Sequence, residues 1–262
     1  MKRIGEIDLG LTPVVVGVMK RLSIQEATWA KESGADVIEL RIDLLEGEER
    51  SAEKVKEFVK MLKNHQSLVQ MPIIVTNRKK EEGGSFVGTE ARRIGMLKAI
   101  LETAEVDAVD IEFLSPARLK NTLIETAKSL HIPAILSFHD FKGMPSREDI
   151  LRIIARMYEE GGSIAKIAVT PKTTNDALLL LNLTHKLSSE GQLLVAIGMG
   201  PVGRHLRVIA PLYGSVLTYG FIEGEGEVAP GQFSVKELRS LMDKILMPKV
   251  TAKVLQPLSQ NR

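Results

Sequence analysis

The stretch GSIAKIAVTPK, Gly162 to Lys172, sets one lysine inside an apolar, strand-like run. Isoleucine, valine and alanine flank Lys166 on both sides, the composition of a strand buried on both faces of a parallel sheet. In a strand Lys166 shares its face with Ile164, Ala168 and Thr170, and the small Ala168 leaves room beside the amine. Taking an ammonium out of water disfavours its charged form, so a lysine in this setting can act as a nucleophile toward carbonyl groups. The competing reading is a lysine near a strand end, its stem on apolar surface and its ammonium in water.

Outward from this strand the chain alternates apolar runs with helical periods. Val14 to Met19 reads as a first buried strand after a short polar arm over residues 1–12, and Ser23 and Glu26 form the capping box of a helix that ends near Gly34. Strands follow at Asp36 to Ile42, Pro72 to Thr76, Ala108 to Ile111 and Ala134 to Phe138. Helices between them open at Ser51, Thr89, Ser115-Pro116 and Ser146. The Lys166 strand is the sixth. A helix from Thr173 to Ser188 leads to a strand at Leu193 to Ile197, and a shorter helix over Arg204 to Leu212 leads to the eighth strand, Ser215 to Tyr219. Ser234 and Glu237 cap the last helix, and the tail from Pro248 to Arg262 shows no period.

Eight strands alternating with eight helices over 262 residues point to a (β/α)8 TIM barrel, an α/β fold, in one domain spanning 1–262. An open doubly wound sheet is the alternative, because periodicity does not count closure. Lysines and arginines number 35 against 33 acidic residues, a net charge of +2, which gives no reason to expect a nucleic-acid or membrane partner. No stretch approaches the roughly 18 consecutive apolar residues of a membrane span, and no signal peptide opens the chain, so a soluble, unprocessed, cytoplasmic protein is expected. Cysteine is absent, which excludes disulfides, thiolate metal sites and cysteine nucleophiles.

Barrel sites gather at the C-terminal ends of the strands, and there the polar residues recur. Glu39 and Arg41 end strand two, Thr76 and Arg78 strand three, Asp110 and Glu112 strand four, Ser137 and His139 strand five, Lys166 and Thr170 strand six. The first four pairs are two residues apart and Lys166 and Thr170 four, so each pair shares a face, and closure brings all of them to one mouth. His139 is the one histidine of five that directly follows a strand, and an acid/base group near neutral pKa complements an amine nucleophile. It is a poor metal ligand, since Asp140 faces the other way and no His-x3-His pair exists. Gly198 to Gly203, GMGPVG, matches a dinucleotide fingerprint only weakly: Pro201 has no N–H to offer, and a phosphate site with Arg204 and Arg207 is the better rival. Gly220 to Gln232, rich in glycine and glutamate, reads as a lid with little apolar surface to hold it closed.

These residues resemble the type I 3-dehydroquinate dehydratases of the shikimate pathway. The likeness covers nearly the whole chain through ELRID at Glu39 to Asp43, Arg78 followed by EGG at Glu82 to Gly84, SFHDF at Ser137 to Phe141, the AKIAV-x-P motif around Lys166, and APGQ at Ala229 to Gln232. It implies a (β/α)8 homodimer that needs no metal or organic cofactor. It also implies a Schiff-base dehydration: Lys166 condenses with the C3 ketone of 3-dehydroquinate, His139 moves the C2 proton and protonates the departing C1 hydroxyl, and Asp110 and Glu112 orient the imidazole. Arg207 takes the substrate carboxylate, a bidentate task suited to guanidinium. Glu39, Arg41, Arg78 and Gln232 bind hydroxyls or shape the pocket, and Met199, Phe141 and Tyr219 form apolar walls. Val228 stands where a small hydroxyl residue usually precedes APGQ, Ile197 replaces a usual methionine, and the loop after strand eight is slightly longer, which alters the lid contacts. Two rivals stand beside this reading: a lysine-imine aldolase or transaldolase, and a barrel that only binds a polyhydroxy acid.

Overall fold

A computed structural model describes residues 3–245. It opens on a two-stranded antiparallel hairpin, β1 (Arg3–Ile4) and β2 (Ile7–Asp8). Eight parallel strands follow: β3 (Val14–Met19), β4 (Val37–Arg41), β5 (Ile73–Thr76), β6 (Ala108–Glu112), β7 (Ala134–Asp140), β8 (Ile164–Val169), β9 (Leu194–Gly198) and β10 (Leu217–Phe221). From β3 to β9 each pairs with the next, and β10 returns to pair with β3. The seam between β9 and β10 is closed by a bridge from Leu194 to Ser215, by Val216 N donating to Leu194 O at 2.9 Å, and by Ala196 N donating to Ser215 Oγ at 3.0 Å. This is the (β/α)8 barrel that the alternation predicts.

The two-residue period of the strands sorts their side chains into two cores. Val15, Ile38, Leu40, Val75, Val109, Ile111, Leu136 and Ile167 face outward and lie under the helices. Val14, Val16, Val18, Val37, Ile74, Ala108, Ile135, Ile164 and Val195 fill the barrel interior. The arm expected to be merely polar takes part in this inner core. Ile4 and Leu9 are buried in it, and Gly5 turns against Pro72 and Asp107, which precede β5 and β6. The hairpin therefore stoppers the end of the barrel opposite the site.

The helices are α1 (Ile24–Glu32), α2 (Ala52–Asn64), α3 (Glu90–Thr103), α4 (Ala117–Ser129), α5 (Arg147–Glu159), α6 (Thr174–Ser189), α7 (Gly200–Gly203), α8 (Leu206–Ile209) and α9 (Val235–Ile245). Side chains of Ser51, Thr89, Ser146 and Thr173 accept the backbone N–H that an N-cap should satisfy. Ser115 departs from that pattern. Its Oγ accepts from Arg93 Nη2 at 2.9 Å, and Pro116 holds the cap position instead. The single helix expected over Arg204 to Leu212 is instead the short α8 followed by a 3-10 turn at Ala210–Tyr213 that contains Pro211, with α7 as a separate turn before it. The glycines of GMGPVG serve packing: a Cβ on Gly198 would lie 2.4 Å from Gly203 O. The tail 248–262 lies outside the described residues.

Candidate active site

Because β4 to β8 are in parallel register, their inward polar residues stack as rings at the C-terminal mouth. Lys166 is 4 % exposed, so the reading in which its ammonium reaches water fails. Its surroundings are not apolar either. Lys166 Nζ donates to Asp110 Oδ2 at 2.8 Å and lies 4.1 Å from the centroid of the Tyr219 ring. Arg78 donates through Nη2 to Asp110 Oδ1 at 2.7 Å and through Nη1 to Ser137 Oγ at 2.7 Å and Glu112 Oε1 at 3.0 Å. Arg93, fully buried on α3, reaches the other oxygen of Glu112 at 2.5 Å and closes on Glu90 at 2.9 Å. Charge thus alternates from Glu90 through Arg93, Glu112, Arg78 and Asp110 to Lys166. Burial alone would raise the Asp110 carboxyl, but Arg78 and Lys166 hold it far below the usual carboxylate range.

The expectation that Asp110 and Glu112 orient His139 is corrected. Both carboxylates are committed to cations deeper in the barrel: Asp110, opposite Ile135, reaches Arg78 and Lys166, and Glu112, opposite Ser137, binds Arg78 and Arg93. His139 stands a layer above Ser137, aligned with Ala168. Its partner is Glu82, whose Oε2 accepts from the His139 backbone N at 3.1 Å and lies 2.9 Å from Nδ1. Glu82 reaches over the mouth from a 3-10 turn, Lys80–Glu82, that ends on two glycines. Gly83 has φ +79°, and a Cβ there would sit 2.3 Å from the Phe141 ring; on Gly84 it would sit 2.1 Å from Arg78 O. Burial, with Arg78 and Lys166 adding to it, pushes the His139 pKa well below its ordinary value, and burial raises Glu82 to about 6. A neutral imidazole beside this carboxylate donates through Nδ1 and keeps Nε2 as a base.

The cavity over these residues spans about 520 Å³ with its open mouth included. Glu39, Arg41, Arg78, His139, Phe141, Lys166, Met199, Arg207, Tyr219 and Gln232 all line it, and Asp110 and Glu112 lie behind them. Thr170 does not join them, because its Oγ1 donates to Asp140 O. Glu39 accepts from Thr76 at 2.7 Å. Arg41 is gripped by both oxygens of Asp43 at 2.9 and 2.7 Å, a partner that the two-residue spacing in ELRID already offers. Arg207 is buried with its Nε unpaired among the described residues, and burial lowers its pKa to about 10. Its Nη2 donates to Pro230 O at 3.3 Å, and no carboxylate pairs with the guanidinium among the described residues.

Residues 222–234 close one side of the cavity. Val228 packs on the inner core, and its N–H donates to Gln232 Oε1 at 2.9 Å. The loop expected to have little apolar surface to hold it is anchored by charge at one glutamate: Glu225 pairs with Lys20 at 3.5 Å and with Arg21.

A family model described as Type I 3-dehydroquinase matches residues 13–247. A 3-dehydroquinate dehydratase of Methanosarcina mazei is 38% identical over 248 residues, 94% of this chain and 100% of that protein. The chain belongs to the type I 3-dehydroquinase family. Type I 3-dehydroquinases are hydro-lyases. A solved one from Clostridium difficile, with covalent modified comenic acid, superposes with a TM-score of 0.82 at 28% identity, over 93% of this chain and 96% of that one. The Geobacillus kaustophilus 3-dehydroquinate dehydratase gives a TM-score of 0.83 at 26% identity, covering 93% and 95%.

Proposed function

We propose that this chain dehydrates 3-dehydroquinate to 3-dehydroshikimate through an imine on Lys166. The observation that carries the proposal is a buried amine and an imidazole held by a carboxylate, facing one cavity with an anion-deficient arginine. Lys166 Nζ condenses with the C3 ketone, and the cationic imine acidifies the C2 proton. His139 Nε2 takes that proton, the electrons are stored as an enamine, their return expels the C1 hydroxyl, which His139 protonates, and water hydrolyses the product imine to free 3-dehydroshikimate and Lys166. Glu82 keeps the imidazole in the tautomer this needs. Asp110 and Arg78 hold Lys166 in place, and Glu39, Arg41 and Gln232 offer hydrogen bonds to the ring hydroxyls. The homodimer and the cytoplasmic setting expected above belong to the same proposal.

Incubating the chain with 3-dehydroquinate should produce the absorbance of a conjugated enone; no absorbance change would overturn the proposal. Arg207→Lys tests the carboxylate contact. It keeps a charge and removes the planar fork, so KM should rise about tenfold or more with kcat less affected. An unchanged KM would move the carboxylate to another group, Arg204 first.

A further inference from the structure

Tyr219 faces the inside of the barrel from β10 and is 4 % exposed, yet its hydroxyl has no hydrogen-bond partner among the described residues. A buried hydroxyl left unpaired destabilises the protein that carries it. Phenylalanine would supply the same wall and the same ring face for Lys166 Nζ without that cost. The wall role expected for Tyr219 therefore explains its ring and leaves its oxygen unexplained.

Two facts limit what the oxygen can do. Burial raises the pKa of Tyr219 well above its ordinary value, and the nearby carboxylates Glu39 and Asp110 push the same way, so the phenol keeps its proton and acts as a donor. The nearby carboxylates do not take it: Asp110 Oδ1 accepts from Arg78 and Ser137 and Oδ2 from Lys166, Glu39 Oε1 accepts from Thr76, and no hydrogen bond joins Tyr219 Oη to either residue. The donor is thus left for something that enters the cavity. Since Nζ rests 4.1 Å from the Tyr219 ring centroid, a substrate carbon bonded to Nζ would lie against this residue.

We propose, on the dehydratase reading above, that Tyr219 Oη donates a hydrogen bond to the ketone oxygen of the substrate as Lys166 attacks the carbon bearing it. In that step Lys166 releases its ammonium proton to water at the open mouth of the cavity, the lone pair so freed forms the N–C bond, and the carbonyl π pair moves onto oxygen. The adduct then carries a positive charge on nitrogen and a negative charge on oxygen. Tyr219 meets the oxygen charge while keeping its own proton, the task of a fixed donor aimed at developing charge. His139 is left free for the proton on the neighbouring carbon.

Tyr219→Phe separates this role from a structural one. Removing an unpaired buried hydroxyl should leave the free protein as stable as before or raise its Tm by about 2–4 °C. The same variant, mixed with 3-dehydroquinate and quenched rapidly with borohydride, should form the trapped adduct about tenfold or more slowly than wild type at saturating substrate. An unchanged trapping rate would overturn the proposal, and so would a clear fall in Tm, which would show that the hydroxyl already has a partner within the folded protein. Failure of the dehydratase reading is distinguishable, because it would appear in the wild-type chain as neither enone nor trapped adduct.

Discussion

Lys166→Met is expected to abolish turnover, by about 10⁴-fold or more, because it removes the atom on which the covalent intermediate is built. Methionine is close in length to lysine, and Asp110 keeps Arg78 and Ser137 as partners when the ammonium is gone. The variant should therefore fold, which makes its inactivity informative. Borohydride reduction in the presence of substrate should attach the ligand to the Lys166 peptide in the wild type and to no peptide in the variant. Label on a different lysine would sink the imine mechanism.

His139→Ala should lower kcat by about 10² to 10⁴, the usual weight of a positioned acid/base group. Glu82 gives this expectation a pH signature. The working pair is a neutral imidazole with an ionised Glu82, and Glu82 is pushed up to about 6 by burial. As pH falls through that value the carboxylate takes a proton, Nδ1 loses its anionic acceptor and kcat should decline; at higher pH the pair is intact. Glu82→Gln should remove that limb and leave a lower, flatter rate. A His139 variant that loses affinity while kcat stands would make the imidazole a binding group, and an acid limb persisting in Glu82→Gln would assign the titration elsewhere.

The inward residues of the barrel were readable because a strand repeats every two residues, so Glu39 with Arg41, or Ser137 with His139, had to share a face. What the period does not encode is the stagger between strands. The resemblance set Asp110 beside the histidine, whereas the parallel register puts it opposite Ile135, two layers below His139, from where its carboxylate reaches Lys166 and Ser137. Glu82 escaped a role for a different reason. It lies in a turn with no period, and its only local mark is the glycine pair whose missing side chains admit Phe141 and the Arg78 carbonyl. Ser115 before proline has the pattern of a helix cap, and only tertiary packing reveals the buried Arg93 that claims it. Likewise, of the described apolar residues scattered through the polar arm only Ile4 and Leu9 are buried in the inner core, too short a pattern to announce a barrel stopper.

The alternating charges that run from Glu90 to Lys166 constrain how this protein can change over time. Each interior member neutralises two neighbours, so deleting one strands a charge in a place water does not reach, at a cost of about 3–5 kcal/mol. Arg93→Leu and Glu112→Leu are thus each harmful alone, while their combination removes a matched pair and is less harmful than the sum. Such sign-coupled positions drift together or not at all. The constraint extends well beyond the groups that touch the reacting atoms, to a helix on the outside of the barrel, where Glu90 is still partly open to solvent. A neutral-looking substitution there sets which later substitutions near the catalytic lysine are tolerated.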